Sequence, residues 1–326
     1  MEEAFYQELA AMLSAGPLVV ATVIHTQGSV PRQVGAKLAL GIGGTLAGTI
    51  GGGAGEAAVL AQAQALLQAA DPVGRELTID LTGSPLGVCG GRMQIWLQLW
   101  QGSQAQALVA QILQALTAGA GQQLVTPLNP PGWPYLSAEF AHLAAPQREA
   151  GSFIEPLTPA PTLLIIGAGH CGIPLAQVAH WAGFRIWVQD DRPEYATPER
   201  FPTAERLCPQ AFSELIPDLR RIPQLYMALL TRGYTLDCQI LRAIHQANLI
   251  PRYLGMIGSR KRVKTVLQTL AQEGIPAGAF PTLHAPIGLE IHAETPAEIA
   301  ISITAQLIQV RRAQNQAKLP PGKKKG

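Results

Sequence analysis

The sequence predicts an α/β protein of two domains, an α/β unit followed by a domain with a mainly parallel sheet. The chain has 326 residues, whereas single domains usually hold about 100 to 200. Apolar stretches rich in valine, isoleucine and leucine alternate with alanine- and leucine-rich stretches of helical spacing. In the second half this alternation follows the strand, helix, strand order that is typical of a parallel sheet.

Composition and charge exclude several classes of protein. Apolar residues make up 48% and charged residues 14%, so charge-driven disorder is excluded. The net charge is +2, and three lysines of the tail, Lys323–Lys325, account for more than all of it, because removing three from +2 leaves −1. The body of the chain therefore lacks the basic footprint of a nucleic-acid-binding protein.

No stretch has the composition of a membrane-spanning helix. The uncharged run from Leu38 to Gly55 holds 8 glycines in 18 residues, which is typical of turns. The acidic start Met1–Glu3 differs from the basic start of a secretory signal, so we expect a cytoplasmic protein with reduced thiols. The four cysteines lack the close spacing of a zinc or redox pair, and they are Cys89, Cys171, Cys208 and Cys238.

The first domain is predicted over residues 1–126. A leading helix ends near Gly16, where a glycine and a proline break the pattern. The other elements expected from residue type and spacing are strands at Leu18–Thr26, Lys37–Leu40, Thr45–Ile50, Glu76–Leu81 and Met93–Leu99, with helices at Glu56–Ala70 and Ala105–Leu116.

A proline-rich region marks the boundary between the domains. Eight prolines lie between Pro127 and Pro161, and they predict a linker over residues 127–160. The second domain is predicted over residues 161–312 and a disordered basic tail over 313–326. Its expected elements are strands at Thr162–Ile166, Arg185–Gln189, Gln224–Leu230 and Tyr253–Ile257, with helices at Cys171–Ala182, Asp237–Ala247 and Arg260–Glu273 and a last helix capped by Thr295.

The sharpest motif follows the first strand of the second domain. Gly167, Gly169 and Gly172 form a GxGxxG sequence between a strand and a helix, which predicts a Rossmann-like domain with a phosphate at the helix N-terminus. Asp190 ends the next strand, where an acid can bind ribose hydroxyls. The alternative is that Asp190, Asp191 and the following arginine close the strand and pair in solvent.

Two further features of the second domain have open interpretations. His170, inside the glycine loop, is either an acid, base or ligand, or a structural residue at a helix start. Gly258, Ser259 and Arg260 repeat the strand, glycine, helix order with positive charge, which suits a phosphate or a nucleotide 2′-phosphate. The alternative is a solvated basic first turn.

Three glycine-rich segments of the first domain follow or precede strands. They are Gln27–Arg32, Gly51–Glu56 and Gly87–Arg92. Each alone is most simply a turn, but three of them favour a shared anion or cofactor site. Cys89 lies beside two glycines, so its sulfur is either accessible to a soft metal or to sulfur transfer, or an unreactive thiol in a turn.

Taken in order, these motifs resemble the XdhC/CoxI family of accessory proteins of xanthine dehydrogenase and related molybdenum hydroxylases. The resemblance runs from about Val19 to Arg311 and is carried by the glycine-rich segments above, by Asp190–Glu194, by Tyr253–Arg260 and by the segments Ala285–Leu289 and Glu294–Ile299.

The resemblance implies a chaperone more than a catalyst. Family members are described as binding molybdenum cofactor, guarding it while a cysteine desulfurase supplies the terminal sulfur, and delivering it to the hydroxylase. Cys89 would then contact molybdenum or sulfur, and Arg32 with the Gly51–Gly53 amides would hold the pterin phosphate. The candidate cofactor-binding residues are Gln27, Ser29, Arg32, Gly51, Gly52, Gly53, Glu56, Cys89, Gly90, Gly91, Gly167, Gly169, His170, Gly172, Asp190, Asp191, Gly258, Ser259 and Arg260.

Other functions stay open at this point. The GxGxxG motif also suits an NAD(P)-dependent oxidoreductase, although no catalytic acid or hydride site is evident beside it. Nucleotidyl transfer is disfavoured, because the Gly51 run lacks the Gly-Lys-Ser/Thr ending of a P-loop. A homodimer is the default expectation for assembly, since two-fold assemblies are the commonest.

Overall fold

A computed structural model describes residues 2–81, 90–118, 122–140, 143 and 145–317. Its described residues divide into two units, one up to Pro159 and one from Ala160 to Ala317. The elements of the first unit are α1 (Glu2–Ala15), β1 (Leu18–Gln27), β2 (Lys37–Gly41), β3 (Leu46–Gly48), α2 (Gly53–Ala69), β4 (Arg75–Asp80), β5 (Arg92–Trp100), α3 (Gly102–Ala118), β6 (Gln123–Pro127), β7 (Tyr135–Ser137), β8 (Gln147–Glu149) and β9 (Ser152–Pro156).

The main sheet of the first unit has five antiparallel strands in the order β3-β2-β1-β5-β4. Its central strand, β1, is buried over its first seven residues and supplies side chains to both faces. Val20 packs with α1 and α3, whereas Val19 and Ala21 pack with α2. Both faces of the sheet are thus covered, because alternate residues of a strand point to opposite sides.

The proline-rich region differs from its predicted role as a linker over residues 127–160. It supplies β7, β8 and β9, which join β6 in a four-stranded sheet of order β7-β6-β9-β8. Its prolines exclude helix, as expected, but Pro127 and Pro156 lie at strand ends, where a strand tolerates the missing N–H. The described residues of this region belong to the first unit up to Pro159.

The second unit is built on a six-stranded sheet with all pairs parallel, in the order β12-β11-β10-β13-β14-β15. Numbered along the chain, this is the order 3-2-1-4-5-6 of the Rossmann fold. Its elements are β10 (Thr162–Ile166), α4 (Gly172–Trp181), β11 (Arg185–Gln189), β12 (Arg206–Cys208), α5 (Phe212–Leu219), β13 (Leu225–Leu229), α6 (Tyr234–Gln246), β14 (Tyr253–Met256), α7 (Arg260–Gln272), β15 (Leu283–His284) and α8 (Pro296–Ala317).

Helices cover both faces of this sheet. One core contains side chains of α5, α6 and α7, and the other contains side chains of α4 and α8. β10 is buried at every position, as a central parallel strand requires. The fold class predicted from the sequence, an α/β unit followed by a Rossmann-like domain, is confirmed.

Helix α8 also holds the loop 285–289 in place. The side-chain oxygen of Gln306 accepts hydrogen bonds from the Gly288 N–H (2.8 Å) and from the hydroxyl of buried Tyr253 (2.6 Å). The hydroxyl of Ser302 donates to the carbonyl oxygen of Leu289 (2.6 Å). The loop is therefore a turn held in place by α8.

The tail predicted over residues 313–326 begins inside α8, since that helix continues to Ala317. Residues 318–326 lie outside the described residues. Among the described helices, none combines the length and the apolar composition needed to cross a bilayer.

Candidate functional site

The described parts of the three glycine-rich segments of the first unit come together in the structure. A methyl group on Gly91 would lie 2.5 Å from the Ser29 carbonyl oxygen and 2.6 Å from that of Gln27. A methyl group on Gly51 would lie 2.5 Å from the Cβ of Pro31. The loop after β1 is thus flanked by Gly91 and by Gly51, and only glycine permits such close approach.

Glu56, in the first turn of α2, binds the glycine-rich segment that precedes this helix. Its carboxylate accepts hydrogen bonds from the Thr49 hydroxyl (2.6 Å) and from the N–H groups of Ile50 (2.9 Å) and Gly52 (3.2 Å). Burial alone would raise the pKa of Glu56, but these hydrogen bonds outweigh it and lower the pKa below its ordinary value. An ionised carboxylate therefore occupies the Gly52 N–H, one of the amides that the family resemblance assigns to a phosphate.

Open space remains on the other side of the same turn. A Cβ added to Gly52, Gly53 or Gly90 meets no atom within 4 Å, so the backbone there faces solvent. The side chains of Gln27, Ser29 and Arg32 are exposed beside it. Cys89, the predicted molybdenum or sulfur contact, lies outside the described residues. Within the described part of the chain, no three His, Cys, Asp or Glu side chains gather as metal ligands.

The second unit contains a cavity of about 420 Å³ at the carboxyl ends of β10, β11 and β13. From β10 the chain first adds β11 and β12 on one side of the sheet and then β13, β14 and β15 on the other side. The cavity therefore lies at the switch point of the strand order, where Rossmann folds bind ligands. The residues that line the cavity are Ile166, Gly167, Gly169, Gln189, Asp190, Asp191, Arg192, Ala211, Phe212, Ser213, Leu230, Thr231, Arg232, Leu236, Gln239, Ile240 and Ala243.

The three glycines of the GxGxxG motif have different surroundings. Gly167 has a φ of +112°, and a Cβ there would lie 2.8 Å from the carbonyl carbon of Leu230. A Cβ on Gly172 would lie 2.7 Å from the Gly167 carbonyl oxygen. At Gly169 an added Cβ meets nothing within 4 Å. Gly167 and Gly172 thus permit close packing, whereas Gly169 leaves open backbone for a ligand.

Asp190 is buried, with 3% of its surface exposed, and its carboxylate is fully engaged. One oxygen accepts from the Ala168 N–H (2.8 Å) and from Arg192 Nη2 (2.9 Å), and the other from Arg192 N (3.1 Å) and Nε (2.9 Å). Burial opposes ionisation, but the hydrogen bonds from Arg192 and Ala168 lower the pKa of Asp190. Asp190 and Arg192 therefore form the ion pair that was one of the two interpretations of Asp190, Asp191 and Arg192. The Asp190 carboxylate of this pair is buried and does not lie in solvent.

A second ion pair crosses the mouth of the cavity. Asp191 follows β11, Arg232 follows β13, and two hydrogen bonds of 2.8 and 3.0 Å join their side chains. The hydrogen bonds that Arg232 donates lower the pKa of Asp191, and donating them to the Asp191 carboxylate raises the pKa of Arg232. The pair is well exposed, so water competes with it.

The wall of the cavity beside β13 rests on a buried polar network. Asp237, fully buried, accepts from Arg262 Nε (2.8 Å) and from the hydroxyl of Thr231. The same hydroxyl accepts from Arg262 Nη2 (2.7 Å). These contacts fix Thr231, and with it the neighbouring Arg232, relative to α6 and α7.

The remaining predicted residues lie elsewhere. His170 is exposed and does not line the cavity. Ser259 caps α7 by accepting from the Arg262 N–H (3.2 Å), and Arg260 lines a separate shallow groove with Val263 and other residues of α7. Gly258 and Ser259 therefore lead into α7, and neither they nor Arg260 line the cavity, because β14 is not next to the switch point.

Most of the cavity residues were not predicted from the sequence, and Thr231, Arg232 and Phe212 are among them. Thr231 and Arg232 directly follow the apolar run that became β13, and polar residues at a parallel strand's carboxyl end are a usable signal. Phe212 begins α5, an element not predicted because the strand before it has only three residues.

The strand order and the crevice define the second unit as a Rossmann domain, which follows the α/β unit in the chain. Family models agree: residues 163–307 match the XdhC Rossmann domain, and residues 11–80 match the XdhC and CoxI family. The chain belongs to the XdhC and CoxI family.

Three relatives extend this comparison. The chain is 34% identical over 173 residues to a probable xanthine dehydrogenase subunit of Bacillus subtilis, covering 52% of this chain and 49% of that protein. It is 28% identical over 301 residues to the uncharacterised protein YqeB of Escherichia coli, covering 90% of this chain and 44% of that protein. The chain thus spans about half the length of these curated relatives.

The third relative is a solved structure. A crystal structure described as a xanthine dehydrogenase from Bacillus halodurans superposes with a TM-score of 0.80 at 26% identity, covering 97% of this chain and 98% of that one. The similarity therefore extends over both units.

Proposed function

We propose that this protein is an accessory factor of a xanthine dehydrogenase-type molybdenum hydroxylase and acts in the cytoplasm. In this role it binds molybdenum cofactor as cargo, protects it during sulfuration by a cysteine desulfurase, and delivers it to the hydroxylase. Family membership and the names of the relatives support the accessory role. The observation that carries the cargo site is the convergence of three glycine-rich segments in the first unit.

The residues of this cluster fit an anionic cargo only in part. The N–H groups of Ile50 and Gly52 already donate to Glu56, and that of Gly51 donates to the Thr49 hydroxyl (3.1 Å). A phosphate has to bind on the open side of the turn, near Arg32, or displace the Glu56 carboxylate. Arg32 would then supply the charge, and the exposed backbone of Gly52 and Gly53 would supply close approach.

Cys89 is the proposed sulfur or molybdenum contact on the resemblance alone. It immediately precedes Gly90 and Gly91, and Gly91 packs against the loop that carries Arg32. In the sequence, Cys89 is thus two residues from Gly91, which contacts that loop. A thiolate is a ligand suited to soft metals.

The second unit is proposed to hold a nucleotide, NAD(P) or a related one, in the cavity above β10. Open backbone at Gly169 favours this, as do the apolar side chains of Phe212 and Leu236 that line the same cavity. The same cavity favours a second candidate function, an NAD(P)-dependent oxidoreductase. The two candidates differ in whether a bound nicotinamide turns over.

The test is metal and pterin analysis of protein purified anaerobically from a host that makes the cofactor. We expect molybdenum, by elemental analysis, and oxidised-pterin fluorescence in equal amounts on the wild type, and less of both on Cys89→Ala and on Arg32→Ala. Cys171→Ala is the matched removal of a thiol from the other unit and should keep the wild-type content.

Three results would contradict the proposal. Wild-type protein without molybdenum or pterin would contradict the proposal that molybdenum cofactor is the cargo. Loss of molybdenum and pterin in Cys171→Ala, instead of in Cys89→Ala, would assign the functional thiol to the second unit. Bound nicotinamide nucleotide that is oxidised or reduced by a substrate, with no pterin present, would favour the oxidoreductase.

A further inference from the structure

The nucleotide cavity of the second unit lacks the acceptor that usually recognises an unmodified ribose. In dinucleotide-binding domains an acid at the end of the second strand accepts hydrogen bonds from the ribose hydroxyls. Here that acid is Asp190, and a carboxylate offers about four lone-pair positions. All four are filled, three by Arg192 and one by the Ala168 N–H. Asp190 is therefore occupied as an acceptor by the protein itself.

Guanidinium groups take the place of that acceptor. Arg192 uses Nε and Nη2 to hold Asp190, which leaves its Nη1 donors for a ligand. Its Cζ atom lies 3.6 Å from the ring centre of Tyr195, and this contact together with the Asp190 bonds holds the group in one orientation. Arg232 lines the same cavity and is about half exposed. The mouth of the cavity thus presents preorganised donors.

The local charge also favours an anion. Three guanidinium groups lie around this turn, and two of them, Arg192 and Arg232, pair with the two carboxylates. The third, Arg200, donates to the carbonyl oxygens of Ala168 (2.9 Å) and Tyr195 (3.0 Å). These five charged groups sum to +1.

The floor of the cavity suits a heterocyclic base. Phe212, Leu236 and Ile240 supply apolar surface from α5 and α6, and Ser213 and Gln239 supply polar atoms at its edge. Such a pocket, with a few polar groups on an apolar wall, is typical of sites for planar ligands. A nucleoside bound there would direct its ribose toward the arginines.

We propose that the crevice selects a nucleotide with a phosphate on the ribose 2′ position, the NADP class, and discriminates against NAD. This inference rests on the proposed nucleotide occupancy of the second unit. Arg192 and Arg232 bind the 2′-phosphate, and Asp190 acts as a positioning residue that orients Arg192. Guanidinium and phosphate form strong paired hydrogen bonds, whereas a 2′-hydroxyl finds no free carboxylate on Asp190.

The experiment is calorimetric titration of the full chain with NADP⁺, NAD⁺, 2′-AMP and 5′-AMP. We expect the wild type to bind NADP⁺ roughly 10-fold or more tightly than NAD⁺, and 2′-AMP more tightly than 5′-AMP. Arg192→Ala removes the 2′-phosphate donor and frees two acceptor positions on Asp190. It should therefore lose NADP⁺ affinity and gain NAD⁺ affinity, a reversal that a merely structural role does not produce.

Two further variants keep the test decisive. Arg232→Gln alters an exposed pair, so the fold should persist while NADP⁺ affinity falls and NAD⁺ affinity stays the same. Arg260→Ala, at the start of α7 and outside the cavity lining, is the matched removal of an arginine and should change neither.

The outcomes separate this inference from the proposed function. Equal affinity for NADP⁺ and NAD⁺, or preference for NAD⁺, overturns the selectivity and leaves nucleotide binding in place. Absence of binding for all four compounds overturns both. A loss of NADP⁺ preference in Arg260→Ala would place the 2′-phosphate at α7 and also overturn the proposal.

Discussion

Two glycine turns of this molecule share one design, a strand followed by glycines and a helix, yet their amides have different partners. In the first unit, Glu56 of α2 returns to accept from Ile50 and Gly52. In the second, α4 has no acid in its first turn, and Asp190 of the neighbouring strand takes only the Ala168 N–H of the glycine loop. The position of the nearest carboxylate therefore decides which turn is filled by the protein itself.

The largest expected effect is at Gly167, and it separates close packing from ligand approach in the second turn. Gly167→Ala places a Cβ against Leu230 at a positive φ, so we expect a loss of about 2–5 kcal/mol in the free energy of unfolding. Chemical denaturation measures it. Gly169→Ala, with open space around its Cβ, is the matched control and should cost less than about 1 kcal/mol.

The effect of Gly169→Ala should be on nucleotide binding rather than on the free energy of unfolding. Gly169→Ala covers the open backbone, so it should weaken binding of a phosphate-bearing nucleotide while the protein stays folded. If Gly169→Ala destabilised the protein as much as Gly167→Ala, the contrast between packed and open glycines would fail.

An intermediate effect is expected at Glu56, because its charge fills the first turn. Glu56→Gln keeps the shape and removes the negative charge, and it should cost about 1 kcal/mol at neutral pH. The pKa of Glu56 is lowered in the folded protein, so its contribution is present above the ordinary value of 4.5 and is lost as the pH falls through the lowered pKa.

Denaturation of wild type and Glu56→Gln from pH 7 to pH 3 tests this. The difference in stability should narrow below pH 4.5. Stronger binding of inorganic phosphate by Glu56→Gln would further sharpen the contrast, since the amides lose a charged competitor. A stability difference that is independent of pH would show that the carboxylate does not fill the turn as an anion.

The smallest effect is expected at Asp191. Asp191→Asn weakens an exposed ion pair with Arg232, so the loss should stay below about 1 kcal/mol and shrink in salt. Thermal unfolding at low and at high ionic strength measures it. A loss of several kcal/mol, unchanged by salt, would mean that this pair stabilises the second turn more than Glu56 stabilises the first.

Much of the fold could be predicted from the sequence because its strands and helices are long or fully apolar. α3 has a helical periodicity, β1 and β10 are runs of apolar and β-branched residues, and the GxGxxG motif predicts a strand before it and a helix after it. The four-stranded sheet of the first unit could not be predicted, since three of its strands lie in the proline-rich region. Proline excludes a helix locally, but it does not indicate which strands pair when, as for β6 and β9, they lie 20 or more residues apart in the sequence.

The site was less predictable, because sequence patterns identify donors and do not reveal their partners. Gly169 and Asp190 were expected at the crevice and do line it. That Arg192 would saturate Asp190 depends on side-chain geometry, and so does the pairing of Glu56 with its own turn. Arg260 was expected to suit a phosphate because of its charge, but the strand order places β13, and not β14, beside β10.

The hydrogen bonds from Tyr253 and Gly288 to Gln306 bear on the timing of synthesis. A ribosome that makes the first unit up to Pro159 still has to add roughly 150 residues before Gln306, which takes about 7–30 s at 5–20 residues per second. During that interval the first unit can fold, while the nascent second unit has strands but lacks α8 over one face. The later unit is thus the one whose apolar surface a nascent-chain chaperone would meet.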